Sequence, residues 1–250
     1  MGETALALSR KGTLSYLHVS HCTFAVSDGK SMVLIDPFFC GQFEWKDKIE
    51  KHLDEPTVKL SAFKNVDAIL VSHEHGDHYD PQTLGTLIKQ TKAKIYTPQM
   101  VIDDATKKQG LDASRFEKVS RGQKIKVGDM DVTVYCAAAS EQTEPVDRVG
   151  FHIAAEGRTL YHQGDSHGIS PMWQPMYGGK LDAFIMWPWR VLEVAAIVKP
   201  KSIIFHHLDR FKPGNFFCNR SADLELQYHR YYHPDIDFIV PEKGKWLPVR

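Results

Sequence analysis

Cysteine is scarce and scattered in this chain: Cys22, Cys40, Cys136 and Cys218 are the four, and none forms a C-x-x-C pair. That argues against a disulfide framework and against a cysteine-rich zinc site. Net charge is missing as well. Thirty-one Lys and Arg cancel thirty-one Asp and Glu, so there is no global positive field to draw in nucleic acid or an anionic membrane. No apolar run approaches the roughly 20 residues that a membrane span needs. The Ala5-Leu6-Ala7-Leu8 patch before Arg10 and Lys11 is too short for a signal segment. Fixed-period repeats and low-complexity linkers are absent too. What is present is a chain of 250 residues, 42% hydrophobic and 25% charged, able to bury a sizeable core, so disorder is not expected. A cytoplasmic protein with no membrane and no nucleic-acid partner is expected. Histidine, at thirteen copies, is where the chemistry is sought.

The first forty residues alternate short apolar runs with turn residues: Leu14 to Val19, Cys22 to Val26, the turn Ser27-Asp28-Gly29-Lys30, then Met32 to Ile35 closing on Asp36-Pro37. This predicts an antiparallel meander. Residues 38 to 64 show no clear periodicity and read as a long surface excursion that could cover a site. Val66 to Val71 reads as a strand, and Asp80-Pro81 as the N-cap and first residue of a helix to about Gln90. Further strands are expected at Lys94 to Tyr96, Phe116 to Val119, Lys124 to Val127, Asp131 to Cys136, Ala183 to Trp187 and Ser202 to Phe205, with a hairpin of Gly150 to Ala155 and Arg158 to His162. Helices are expected from Thr97-Pro98 to Gly110, after Pro188, and from about Ser221 to Tyr232. The simplest account is one α/β domain over residues 1–250, made of two packed β-rich halves with outer helices.

Between the Val66–Val71 strand and the capped helix lies His73-x-His75-x-Asp77-His78. Three imidazoles and a carboxylate within six residues suit zinc and can also hold manganese or iron. Histidines at i and i+2 on an extended segment project to one side, while a turn at Gly76 can swing Asp77 and His78 toward a second position. Two metal positions become possible.

On these residues the chain resembles the metallo-β-lactamase superfamily, whose H-x-H-x-D-H signature stands here as His73, His75, Asp77 and His78. The resemblance runs over about Leu14 to Asn215: Ser20-His21-Cys22-Thr23-Phe24 is similar to the entry strand, Ile35-Asp36-Pro37 to the strand-end aspartate, Leu160-Tyr161-His162-Gln163-Gly164-Asp165 to the metal-aspartate motif, and Phe205-His206-His207-Leu208-Asp209 to the last histidine motif. Gly164-Asp165-Ser166-His167, with Thr143-Glu144-Pro145 and Val149-Gly150, most resembles the L-ascorbate 6-phosphate lactonase-like group. The resemblance implies a four-layer αββα sandwich. It implies His73 and His75 on a first metal, Asp77, His78 and His207 on a second, and Asp165 bridging them.

One ligand of that pattern is missing. The family places a third first-site histidine between the early cluster and the bridging aspartate, and Ala137 to Pro145 contains none. One alignment puts Gln142 at that position, and a shifted one puts Ala139 or Ser140 there. Glu141, Glu144 or His167 are candidate substitutes. An amide oxygen is a poorer zinc ligand than imidazole, so first-site affinity should fall or tilt toward manganese or iron.

The implied chemistry is hydrolysis of a small, anionic lactone, ester or phosphoester by water activated on one or two divalent ions, zinc first and manganese or iron as alternatives. Asp77 would also orient the nucleophile, and His167 or His206 would protonate the leaving group. His21 and Asp36 would support the ligating imidazoles by hydrogen bonds. Arg148, Arg190, Arg210 and Lys212 are candidate anion anchors, with solvated surface charge as the plainer role. Trp173, Tyr177, Trp187, Trp189, Phe216 and Phe217 are candidate pocket walls, although Trp187 ends an apolar strand and suits a core. The amphipathic Leu224 to His233 segment suits either a homo-oligomer contact or a helix closing the core. The competing readings are a nuclease or phosphodiesterase of the same superfamily, and a degenerate member that binds metal or ligand without turnover.

Overall fold

The computed structural model describes residues 5–136, 148–166, 168–214 and 221–250. Its strands are β1 (Ser15–Ser20), β2 (Thr23–Ser27), β3 (Met32–Ile35), β4 (Gln42–Trp45), β5 (Lys48–His52), β6 (Ala68–Leu70), β7 (Lys94–Thr97), β8 (Phe116–Lys118), β9 (Lys124–Val127), β10 (Met130–Cys136), β11 (Val149–Ala155), β12 (Arg158–His162), β13 (Ala183–Met186), β14 (Ser202–Phe205), β15 (Phe211–Lys212), β16 (Asp237–Ile239) and β17 (Trp246–Pro248). The helices are α1 (Pro81–Gln90), α2 (Gln99–Asp103), α3 (Val191–Ile197) and α4 (Ala222–Tyr232).

Two mixed seven-stranded sheets form, in the orders β17-β1-β2-β3-β6-β7-β8 and β16-β14-β13-β12-β11-β10-β9. Alternation explains how they stack. Along β3, Val33 and Ile35 join one apolar cluster while Met32 and Leu34 join another. Along β13, Ala183 and Ile185 face that same first cluster while Phe184 and Met186 face a third. Successive side chains in a strand point to opposite faces, so the shared cluster is the inner core between the sheets. The other two lie outside, one sheet packing on α1 and α2 through Leu84, Leu87 and Val101 and the other on α3 through Val191 and Val194. The layers are helix, sheet, sheet, helix, as expected. Each such aliphatic side chain contributes about 1.5–3 kcal/mol by leaving water.

The meander β1–β2–β3 pairs antiparallel, and β3 pairs parallel with β6. That parallel step sets the ends of β3 and β6 side by side, the crevice position where open α/β sheets place ligands. α1 follows with Asp80 as its N-cap. Asp80 Oδ1 accepts from the backbone N–H groups of Gln82 at 3.0 Å and Thr83 at 3.2 Å, and Oδ2 accepts from those of Phe39 at 3.2 Å and Cys40 at 2.9 Å. One buried carboxylate thus caps the helix and pins the start of the excursion.

The structure corrects several expectations. Residues 38–64 are not irregular: β4 and β5 form a hairpin that β15 extends to a three-stranded sheet. α2 ends at Asp103, and the chain continues in a wider turn in which the Gln109 N–H reaches Asp104 O at 3.0 Å. α4 packs Leu226 and His229 on the outer core, His229 against Phe205 and Phe238, and leaves Leu224, Tyr228, Tyr231 and Tyr232 exposed. β16 and β17 were not anticipated, and each adds an outer strand to one large sheet.

Replacing Asp80 by Ala removes a cap and takes the acceptor from four backbone N–H groups, that of Thr83 buried and the others partly buried. The expected loss is about 2–4 kcal/mol, read as a lower urea midpoint at unchanged slope. A change under about 0.5 kcal/mol would show that the carboxylate does not hold the excursion.

Candidate metal centre

The cluster is built at the ends of strands. Asp36 follows β3 and takes a left-handed backbone, φ 44°. Its carboxylate accepts from the Ser72 backbone N–H at 2.7 Å, the Ser72 hydroxyl at 2.7 Å and the His78 ring through Nδ1 at 2.8 Å. Ser72 Oγ also lies 2.8 Å from His73 Nδ1. Two of the motif imidazoles are thereby aimed by their distal nitrogens, leaving His73 Nε2 and His78 Nε2 to face inward.

Asp165 meets them from the end of β12. Gly164 precedes it at φ 59°, and a Cβ there would come within 3.0 Å of Ser72 Oγ and 3.1 Å of Val149 O, so only glycine brings this loop so close. The two oxygens of Asp165 face different partners. Oδ2 lies 3.6 Å from both His73 Nε2 and His75 Nδ1, while Oδ1 lies 3.1 Å from His78 Nε2 and 3.4 Å from His207 Nε2. His207, at φ 58° beyond β14, also reaches Asp77 Oδ2 at 3.2 Å. His73, His75 and Asp165 form one group able to hold a cation, and His78, Asp165 and His207 a second that shares Asp165.

These donors fit a divalent ion. His73 Nε2 and Asp165 Oδ1 are buried with no hydrogen-bond partner, an arrangement that costs free energy unless something binds them. Burial, reinforced by the neighbouring His78, pulls His73 down to about 4, which keeps its lone pair available at neutral pH. Asp165 is also buried, but the adjoining imidazoles of His78 and His207 overcome burial and hold its carboxyl well below the usual range. For His78 burial opposes charge, yet the carboxylates around it, Asp165 first, hold it well above the ordinary histidine value.

Of the supporting residues expected from sequence, Asp36 does hold an imidazole. His21 does not: its Nε2 lies 3.1 Å from Asp77 Oδ2, so it steadies a carboxylate. His21 in turn is held by Asp209, which takes its backbone N–H at 3.0 Å and also engages His52 Nε2 at 2.6 Å and Lys243 Nζ at 2.6 Å. This buried network was not anticipated, because His52 and Asp209 stand 157 residues apart. His206 is fully buried behind His207, its Nδ1 on the Nδ1 of His207 and its ring stacked at 5.3 Å on His162. It orients His207 and has no exposed face from which to protonate a leaving group. The turn at Gly76 is present, closed by the His78 N–H on His75 O at 2.9 Å and made without a positive φ, and the small size of Gly76 also admits Phe43 of β4, which a Cβ would meet at 2.9 Å. Gln142, His167, Glu141, Glu144, Ala139, Ser140, Phe216 and Phe217 lie outside the described residues.

Among the anchor candidates, Arg148 alone of the described residues touches the cluster, with Nη2 at 2.6 Å from His75 Nε2 and 3.1 Å from Glu74 Oε1. Arg210 pairs with Asp54 and Arg190 with Glu193 on the surface, and Lys212 is exposed on β15. Trp173 is buried in the outer core beside Tyr161 and Phe184. Tyr177 reaches Ser170 O at 2.5 Å. Trp187 is buried, its ring 6.1 Å from that of His207, and Trp189 stacks on it at 5.6 Å. A cavity of about 620 Å³ between α3 and α4 is lined by Trp189, Arg190, Leu224 and Tyr228, among others, and by none of the clustered His and Asp side chains.

Residues 31–208 match the beta-lactamase superfamily domain. The chain belongs to the metallo-β-lactamase superfamily. Within this superfamily, a UPF0173 metal-dependent hydrolase of Pyrococcus furiosus is 24% identical over 207 residues, 78% of this chain and 84% of the relative. One from Methanopyrus kandleri is 27% identical over 91% of this chain and 96% of the relative. Among solved structures, a metallo hydrolase of Ignicoccus hospitalis superposes with TM-score 0.69 at 18% identity, over 94% and 97% of the two chains. An isothiocyanate hydrolase from Delia radicum gut bacteria superposes with TM-score 0.72 at 13% identity, over 93% and 98%. These two share the fold. No helix among the described residues of this superfamily member is long and apolar enough to cross a membrane.

His18 offers a pH test away from the donors. Its Nε2 lies 2.9 Å from His21 O, its ring stacks on Phe24, and burial pulls it from 6.5 down to about 4. The unfolded chain therefore takes up this proton before the folded one, so the stability His18 gives is full above pH 6.5 and is lost as pH falls toward 4. In metal-stripped protein, His18→Gln should flatten the fall of the thermal midpoint across that window. An unchanged slope would show that His18 does not contribute.

Proposed function

We propose that this protein is a metal-dependent hydrolase of a small, anionic lactone, ester or phosphoester, most like the L-ascorbate 6-phosphate lactonase-like members of its superfamily. The observation that carries the reading is Asp165, whose two carboxylate oxygens face two different imidazole groups, with His73 Nε2 buried and without a hydrogen-bond partner. Relatives named as metal-dependent hydrolases support it.

In this reading His73 Nε2, His75 Nδ1 and Asp165 hold one cation, and Asp77, His78, His207 and Asp165 hold the other. An all nitrogen and oxygen donor set suits zinc, manganese or iron. When bound, the ions supply a water nucleophile active near neutral pH and polarise the group under attack. The chain's own residues then position and hold. Asp36 and Ser72 keep the His78 and His73 rings aimed inward. His21 steadies the Asp77 carboxylate, which faces His207 Nε2 and can accept a hydrogen bond from the nucleophile. The β4–β5 hairpin, with Phe43 against Gly76, covers one side of the motif loop.

The test is a panel of lactones, carboxylic esters, phosphomonoesters and phosphodiesters against protein loaded with zinc or manganese, with metal counted per chain by elemental analysis. Asp165→Ala and His78→Ala should each reduce turnover to background and lower the metal count, with circular dichroism unchanged. Turnover by the Asp165 variant equal to that of the parent would sink the assignment. Metal bound without turnover of any class would leave a binding protein. Stripping with a chelator should also lower the thermal midpoint, because an ion that binds only the folded state stabilises it.

A further inference from the structure

Four imidazoles face Asp165, and the nitrogen that each turns away shows how it is held. A metal-bound histidine ordinarily donates its distal N–H to an acceptor, which fixes the tautomer and leaves the proximal lone pair for the ion. His73 turns Nδ1 to Ser72 Oγ at 2.8 Å, His78 turns Nδ1 to Asp36 Oδ2 at 2.8 Å, and His207 turns Nδ1 to His206 Nδ1. Each of those partners can accept. His75 is the exception. Its Nδ1 lies 3.6 Å from Asp165 Oδ2, and its Nε2 lies 2.6 Å from Nη2 of Arg148.

A guanidinium has five N–H donors and no acceptor. At 2.6 Å the His75 Nε2 must therefore accept, and the ring's proton sits on Nδ1, the atom that would bind a cation. For Nδ1 to offer its lone pair, the proton would have to stand on Nε2, pointing at a guanidinium N–H. Two donors cannot face each other at that separation. Charge works in the same direction. The Arg148 side chain is only 6% exposed, so its positive charge is weakly screened beside a position meant for a second cation. Glu74, at 3.1 Å from the same Nη2, offers the guanidinium an alternative partner.

We propose that Arg148 sets the occupancy of the first metal position. While its guanidinium rests on His75, that position holds an ion weakly, and the side formed by Asp77, His78, His207 and Asp165 fills first. Full loading requires Arg148 to leave His75 and stay on Glu74. The inference rests on the metal-dependent reading above and concerns the order and tightness of loading rather than the reaction.

Cobalt(II) titration of stripped protein, followed by calorimetry and by visible absorption, tests it. The parent should show two steps, the weaker by about tenfold or more. Arg148→Gln, whose amide oxygen can accept from His75 Nε2–H, should tighten the weaker step by about tenfold and leave the tighter one unchanged. Arg148→Lys, which keeps the charge, should retain the weak step. Glu74→Gln strips the charge from the alternative partner, so its hold on the guanidinium falls and that step should weaken further, which keeps the test open if Arg148→Gln fails to fold. Two steps of equal tightness in the parent, or no change on Arg148→Gln or Glu74→Gln, would overturn the proposal while leaving a metal-dependent protein. No cobalt bound by either parent or variants would overturn the proposal and the metal reading together.

Discussion

The carboxylate of Asp36 is the constraint on which the centre depends. It is fully buried and sits at the end of a strand whose parallel partner ends at the motif loop. From there it takes one backbone N–H, one hydroxyl and one imidazole N–H. Hydrogen bonds to a charged acceptor are worth about 1.5–3 kcal/mol each, and three in one place fix where the loop begins and which way His78 turns. Ser72 passes the constraint on to His73. Because burial opposes its charge, Asp36 stays ionised through the imidazoles around it, His78 first. The group that orients the ligand set is thus itself held by that set.

Three residues of this region occupy left-handed backbone that favours glycine: His21 at φ 43°, Asp36 at φ 44° and His207 at φ 58°. Such conformations cost about 1–3 kcal/mol each and persist only where the surroundings over-determine them. The surroundings do so here. The His21 N–H is taken by Asp209, and that of Asp36 by Leu70 O at 2.9 Å. The backbone departs from its easy regions at the points where side chains must leave a strand and converge, so the strain is local to the site.

Much of this was legible in the chain itself, where the information is local. Asp80-Pro81 announces a helix start because capping and a fixed φ act within four residues, and α1 begins where they say. The meander showed as short apolar runs separated by turn chemistry. His73, His75, Asp77, His78, Asp165 and His207 were named from motifs, and the fold draws them together. What stayed hidden depends on distant partners. β5 pairs with its neighbour β4, but its other edge is covered by Phe211 and Lys212 against His52 and Lys51, and no window around residue 50 contains that second partner. The same holds for His21, whose partner is a carboxylate 56 residues away, and for Arg148, in sequence a candidate anion anchor or a surface charge, which the fold carries to His75.

The superfamily domain match covers residues 31–208, yet the two large sheets draw on strands beyond it. β16 covers the side of β14 and β17 the side of β1, while Lys243 neutralises Asp209 beneath His21. Both large sheets are therefore finished by the last stretch of chain. A fragment cut after residue 208 would leave β14 and β1 as uncovered sheet edges, backbone of the kind that recruits other chains.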